Sequence, residues 1–260
     1  MVTPVMRILL TNDDGIHAPG MAVLERLAAP LASDLWVVAP SEEQSGAGHS
    51  LTLSRPLRIR KLGEQRFAVT GTPTDSVMLA LGHLMKGQWP DLILSGVNRG
   101  ANLGEDITYS GTVSAAMEGA LAGVPSIALS QASARPGDGD GVRFAVAEAH
   151  GGAILEKLLA VLPEGRTLHN VNFPACSPED VRGIKVCEQG FRDYQRLDVV
   201  ERQDPRGYRY YWFGLGEAQE TPGHRTDLEV VADHYIAVTP LHLDLTHHAS
   251  LGPLEDALGS

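Results

Sequence analysis

Apolar residues in this chain fall into two patterns: short unbroken runs, and runs that recur every three or four positions. "MRILLT" (Met6–Thr11) contains the unbroken run Ile8-Leu9-Leu10, which reads as a strand buried on both faces. A helix is predicted near Gly20–Ala32, because Met21, Leu24, Leu27, Ala28 and Leu31 form one apolar face. "LWVVAP" (Leu35–Pro40) is a second buried strand ended by Pro40, and "RFAVTG" is another. "TPTDSVMLALGHLM" opens a helix with Thr72 as N-cap, Pro73 in the first turn and Asp75 three residues after the cap. Next come the strand "DLILSG" (Asp91–Gly96), a Gly- and Asn-rich loop, a helix starting in "SGTVSAAMEGALAG", and the strand "SIALS" (Ser126–Ser130). "GDGDG" is a turn or loop, Val142–Leu162 is helical in pattern though weakened by Gly151-Gly152, and "LHNVNFP" closes the core as a strand. Strands separated by helices specify βαβ units, hence an α/β core with a parallel sheet covered on both faces.

After about residue 183 the pattern changes, dividing a core at 1–183 from a β-rich segment at 184–260. "IKVCEQ", "LDVVERQDPRGYRYYWFG" and "HYIAVTPLHLD" are β-like, with "DPRG" as a hairpin turn between Glu201 and Tyr208. Tyr208, Tyr210, Tyr211, Trp212 and Phe213 concentrate aromatic surface on one short strand. Such a hairpin needs a partner, and a second subunit is the favoured one over the chain's own core.

The 260 residues suffice for one large α/β domain plus an appendage, and 43% hydrophobic with 20% charged residues is ordinary globular composition. Against 21 basic residues stand 32 acidic ones; the formal charge of −11 argues against a surface that coats a nucleic-acid polymer. A small anionic substrate would need local positive potential. No apolar run approaches the ~20 residues of a membrane span, and "MVTPVMRILL" lacks the features of a signal peptide. Cys176 and Cys187 have no metal-ligand spacing and read as reduced, partly buried thiols of a cytoplasmic protein.

Candidate chemistry collects where strands end. Asn12, Asp13 and Asp14 follow the first strand, "SEEQSGAGHS" (Ser41–Ser50) the second, and Asn98–Asp106 follow "DLILSG". In open α/β sheets such loops open onto one rim, where ligands bind. Two adjacent carboxylates about 4 Å apart repel by roughly 4 kcal/mol at an effective dielectric near 20. Either one binds a proton or a cation joins them; the bland alternative is a turn at Asp14-Gly15 with Asp13 capping the loop. Oxygen donors favour Mg²⁺ or Mn²⁺ over zinc. Ser110, Gly111 and Thr112 lie where a starting helix leaves N–H groups unpartnered, a phosphate cradle or an ordinary N-cap. His49 is a leaving-group acid, a phosphate contact or a solvated loop histidine; Arg99 is an anion clamp or, by preference, a surface charge. The chain has no dinucleotide fingerprint, P-loop or G-x-S-x-G elbow, and Gly15 stands where a covalent aspartyl-phosphate route needs its second acid.

Together, "MRILLTNDDGIHAPG", "VVAPSEEQSGAGHSLTL", "GTPTDSVMLAL", "DLILSGVNRGANLGEDITYSGTVSAAMEGALAGVPSIALS" and "NVNFP" resemble the SurE (survival protein E) family of 5′-nucleotidases. The likeness continues through "YYWFG", Thr226-Asp227 and "YIAVTPLHLD". It implies a Rossmann-like core whose C-terminal hairpin and tail exchange between subunits of a homodimer or homotetramer. It also implies hydrolysis of nucleoside 5′-monophosphates with one divalent cation, Mg²⁺ or Mn²⁺, per subunit, held by Asp13, Asp14, Ser45 and Asn98. Phosphate contacts map to Ser110, Gly111 and Thr112, with Asn102 beside them. Asn12 and His49 complete the expected substrate set, and Asp13, Asp14, Asn98 and Ser110 the catalytic one. Gln44 departs from the basic residue of many relatives, which puts a phosphate contact there in doubt. A phosphatase for other phosphomonoesters or short polyphosphate, and a non-catalytic nucleotide sensor, are the competing readings.

Overall fold

The computed structural model describes residues 6–133, 144–162, 165–191, 197–215 and 225–259. In chain order the first half gives β1 (Arg7–Thr11), α1 (Pro19–Ala28), β2 (Asp34–Pro40), β3 (Ile59–Lys61), β4 (Arg66–Val69), α2 (Pro73–Leu79) and β5 (Leu92–Arg99). Then come α3 (Gly111–Leu121), β6 (Ser126–Gln131), α4 (Ala145–Leu158), β7 (Thr167–Phe173) and β8 (Ile184–Val186). The last are β9 (Leu197–Gln203), β10 (Arg209–Leu215), α5 (Asp227–Ala232), β11 (Ile236–His242) and α6 (Leu251–Leu258).

The main sheet has the order β3-β4-β2-β1-β5-β6-β7-β11-β8. From β4 to β7 all neighbours are parallel. Strict alternation along β1 explains the three layers. Ile8 and Leu10 join Met21 and Leu24 of α1 and Ile154 and Leu155 of α4 in one core. Leu9, between them, packs in the opposite core with Val77 of α2 and Ala115 of α3. Each of these fully covered aliphatic side chains contributes about 1.5–3 kcal/mol, which is why the unbroken apolar run specifies burial on both sides. The aromatic and β-branched strands carry large side chains; α3 instead carries small ones, and a Cβ on Gly119 would lie 2.3 Å from Ser126 Oγ and 2.6 Å from Ile93 Cδ1. That closeness seats the C-terminal half of α3 directly against the sheet.

Boundaries differ from the sequence reading for local reasons. α1 stops at Ala28 rather than Ala32, because Pro30 has no N–H to continue the ladder. α2 forms with the expected reciprocal bonds between Thr72 and Asp75, but passes at Ala80 into a wider turn closed by Met85 N–H on Ala80 O at 2.8 Å. α4 runs unbroken through Gly151-Gly152; Gly151 allows Leu27 of α1 to lie against the helix, at 2.7 Å from where a Cβ would sit. The turn expected at "GDGDG" lies outside the described residues.

Two strands beyond residue 183 join the main sheet: β11 pairs antiparallel with β7 and parallel with β8. β9 and β10 form a separate hairpin, turned at Asp204–Gly207 with Asp204 Oδ1 accepting from Arg206 and Tyr208 N–H groups. Tyr208, Tyr210, Tyr211 and Trp212 are exposed there, and the Phe213 side chain lies outside the description. Cys176 and Cys187 are free thiols. Among the described residues no helix is long and apolar enough to cross a membrane.

Candidate active site

The chain builds the sheet outward from β1 through β2 to β4, then returns to lay β5 on the other side of β1. The carboxyl ends of β1 and β5 therefore flank a topological switch point, where an open α/β sheet leaves a crevice. Asp13 and Asp14 follow one strand there, and Asn98 and Arg99 end the other. The β5–β6 register shifts between Ser95 and Asn98, an irregularity of the kind that re-aims the residues beyond it. Gly96 permits it: its φ is +140°, and a Cβ would lie 2.3 Å from Leu129 O.

Three segments meet at the acidic pair. The Thr112 hydroxyl donates to Asp13 Oδ1, bringing the first turn of α3 onto the carboxylate. Gly111 packs against the same side chain, so closely that a Cβ would lie 2.7 Å from Asp13 Cβ. Gln44 N–H donates to Asp13 O at 2.8 Å, tying down the loop after β2. Arg99 N–H donates to Asp14 Oδ2 at 3.1 Å, tying down the end of β5. The guanidinium of Arg99 lies 3.6 Å from Glu43, whose carboxylate also accepts the Ser45 hydroxyl at 2.8 Å.

Asp13 is only 5% exposed. Burial pushes its pKa up to about 6, opposed by the Thr112 hydroxyl and assisted by the charge on Asp14. Burial also raises Asp14, against the pull of Arg99. Both shifts express the same deficit, negative charge at an apolar rim with little positive charge to meet it.

The neutral donors suit a cation. Ser45 gives its proton to Glu43, Asn98 Nδ2 donates to Gly100 O at 2.9 Å, and Asn12 Nδ2 donates to Gly15 O at 2.8 Å. Each has its hydrogen side engaged, leaving oxygen lone pairs; Asn12 Oδ1 is buried without a partner. Among the described residues no three His, Cys, Asp or Glu side chains form a metal cluster. A hard cation here would take two carboxylates and complete its shell with neutral oxygens, water and substrate, as magnesium does.

Other predicted residues have defined places. Ser110 caps α3, its Oγ accepting Val113 N–H at 3.0 Å, while the first-turn N–H groups keep no intrahelical partner. His49 Nε2 lies 3.1 Å from Glu118 Oε2, further along α3 than the Ser110–Thr112 turn. Asn102 is buried and bonded towards β6 and β7, through Ser130, Asn170 and Asn172. Glu43, Asn170, Asn172 and Ser130 had not been singled out from the sequence. The signal for the asparagines was available: two amides at spacing two in the apolar strand "LHNVNFP" share one face of a buried sheet.

Residues 8–196 match the family described as survival protein SurE. The 5′-nucleotidase SurE of Rhizorhabdus wittichii is 64% identical over 246 residues, covering 95% of this chain and 97% of that protein. The protein of the same name from Erythrobacter litoralis is 59% identical, with the same coverage. The crystal structure of the SurE protein from Aquifex aeolicus superposes with a TM-score of 0.81 at 40% identity, covering 97% of this chain and 99% of that one. On sequence and fold together, the chain belongs to the SurE family.

Proposed function

We propose that this protein is a cation-dependent phosphatase that releases phosphate from nucleoside 5′-monophosphates. The observation that carries the reading is the contact between the first turn of α3 and Asp13, made by Thr112 Oγ1 and Gly111. It sets unpartnered N–H groups and the positive end of a helix dipole, which suit phosphate, beside carboxylates, which repel it. The two would be compatible with a divalent cation held by Asp13 and Asp14 to offset their charge.

In this reading Asp13, Asp14, Ser45 and Asn98 hold the cation, Mg²⁺ or Mn²⁺, one per subunit. When bound, it supplies Lewis-acid polarisation of a phosphoryl oxygen and makes water more acidic. The N–H groups of Gly111 and Thr112, with the Ser110 hydroxyl, hold the other phosphoryl oxygens and orient the phosphorus for in-line attack. Asp13 Oδ1 and Asp14 Oδ2 already accept hydrogen bonds, which leaves Asp13 Oδ2 and Asp14 Oδ1 open to cation and water; one of the pair orients the attacking water or takes its proton. The curated relatives' name, 5′-nucleotidase, supports the substrate class, and the free thiols are consistent with a cytoplasmic setting.

The test is phosphate release from AMP, GMP, CMP, UMP, p-nitrophenyl phosphate and tripolyphosphate with Mg²⁺, Mn²⁺ or Zn²⁺, before and after chelation. Turnover of the nucleotides that vanishes with chelator and returns with cation is expected. Faster release from the other esters or polyphosphate would replace the substrate class. Nucleotide binding without release under any condition would make the protein a sensor instead.

The exposed aromatic hairpin carries a second proposal, that it docks on another copy of the chain in a homodimer or homotetramer. Trp212→Glu is expected to lower the molar mass measured by light scattering, with far-UV circular dichroism unchanged. A wild-type protein monomeric at 100 μM, about the upper end of ordinary assay concentrations, would exclude it.

A further inference from the structure

Beyond β5 the chain leaves the sheet, yet its backbone groups there are satisfied by distant segments, first by a backbone carbonyl of β6 and then by side chains. Gly100 N–H donates to Gln131 O at 2.9 Å. Asn102 N–H donates to Asn172 Oδ1 at 2.8 Å, and Asn102 O accepts Nδ2 of Asn170 at 2.9 Å and of Asn172 at 3.1 Å. Asn102 Nδ2 in turn donates to Ser130 Oγ at 2.8 Å. One turn on, Gly104 N–H donates to Asp227 Oδ2 at 2.9 Å. Asn170, Asn172, Ser130 and Asp227 are all fully buried.

Asn172 is the centre of this arrangement. Its single amide grips both the N–H and the C=O of Asn102, reproducing with a side chain the paired bonds that two residues exchange across antiparallel strands. Primary amides inside a sheet are costly unless their polar atoms are met, and Asn170 Oδ1 is left without a partner. Apolar residues would suit the strand better. What the amides provide is a fixed path at Asn102, within a stretch beyond Arg99 that has no ladder of its own.

We infer that Asn172, assisted by Asn170, is a positioning residue for phosphate: it locks the peptide of Asn102 so that the loop presents the Asn102 side chain to the phosphoryl group. The inference rests on the proposed phosphatase site and deepens it. Asn172 acts through Asn102 and touches no substrate.

Asn172→Asp tests this, because it keeps the acceptor for Asn102 N–H and replaces the donor to Asn102 O with an oxygen. The Asp227 carboxylate already sits on Gly104 N–H, which further disfavours a second anion. At pH 8 the variant should lose about 100-fold in kcat and bind inorganic phosphate, measured by calorimetry with Mn²⁺ present, about tenfold more weakly. The ratio of variant to wild-type rate should rise at least tenfold as pH falls to 5.5 and the introduced carboxyl regains a proton to donate. Asn172→Ser, for use if the first variant fails to fold, should show both losses without the pH recovery. Wild-type phosphate affinity and kcat in a variant that merely melts earlier would overturn the inference, as would a rate loss in Asn172→Asp that is the same at every pH. A wild-type protein that turns over no monoester would sink the phosphatase reading alone, since the phosphate-binding comparison would still test the loop.

Discussion

Asp13→Asn is expected to abolish phosphate release and, without divalent cations, to melt at a higher temperature than the wild type. The native carboxyl has a pKa of about 6 because it is buried, against an ordinary value near 3.9 in the unfolded chain. The folded state therefore binds the extra proton between roughly pH 4 and 6, and the group's contribution to stability is greatest below that window and falls as pH rises through it. Above pH 6 the deprotonated Asp13 costs the fold about 3 kcal/mol. Asparagine removes that cost while its carbonyl can still accept from the Thr112 hydroxyl. The difference in unfolding free energy between variant and wild type should thus be small at pH 4 and grow towards pH 7, as measured by denaturant titration in chelator. Adding Mn²⁺ should raise the wild-type midpoint and leave the variant unmoved. Losing the cation removes several kcal/mol of transition-state stabilisation, on the order of 10³-fold in rate. A variant that keeps wild-type turnover, or is less stable at pH 7 than at pH 4 relative to wild type, contradicts this account.

Gly111→Ala should be nearly as damaging, although alanine ordinarily stabilises a helix by about 0.5–1 kcal/mol over glycine. The added methyl would lie 2.7 Å from Asp13 Cβ, 3.0 Å from Asp13 Oδ2 and 3.0 Å from Pro73 Cγ. None of these can give way easily, since Asp13 is fixed by the Gln44 N–H on its carbonyl and Pro73 is a rigid ring in the first turn of α2. Relief must come from shifting the carboxylate or withdrawing the start of α3, and either would separate the proposed phosphate contacts from the proposed cation ligands. A fall of about 100-fold in kcat/KM, with a loss of roughly 1–3 kcal/mol in stability, is expected from steady-state kinetics and denaturant unfolding. Gly82→Ala, in a helical turn where a methyl meets open space, should leave kcat/KM unchanged and raise stability by no more than about 1 kcal/mol. Wild-type kinetics in Gly111→Ala would show that the contact has no bearing on activity.

Local chemistry made the core readable. Ile8-Leu9-Leu10 specified a strand covered on both faces, Thr72 and Asp75 specified a helix start, and "DPRG" specified a hairpin turn, each through forces acting within a few residues. The convergence of the loops after β1, β2 and β5 was readable too, because ligand crevices follow from strand direction. Long-range antiparallel pairing was not. Nothing local in "YIAVTPLHLD" says that β11 lies beside β7 rather than beside the aromatic hairpin. Within the site, the bonds from Asn172 to Asn102 were hidden because the asparagines stand in an apolar strand, where the dominant pattern is burial. His49 was readable as a residue of the rim loop; its pairing with Glu118 depends on where α3 packs.

The acidic pair, the Ser45 loop, Asn98 and the start of α3 are contributed by stretches scattered over the first 112 residues, and β5 is inserted beside β1 only after β2 and β4 have been laid on its other edge. No fragment ending before β5 contains the crevice, so during synthesis the chain cannot acquire it piecemeal. In the proposed site, cation affinity would report that β5 and the start of α3 have packed beside β1: a chain unfolded there has the two aspartates but no neighbour to complete a coordination shell. Manganese should then favour chains in which that crevice has formed, and its binding should appear in refolding traces only after β5 has paired with β1.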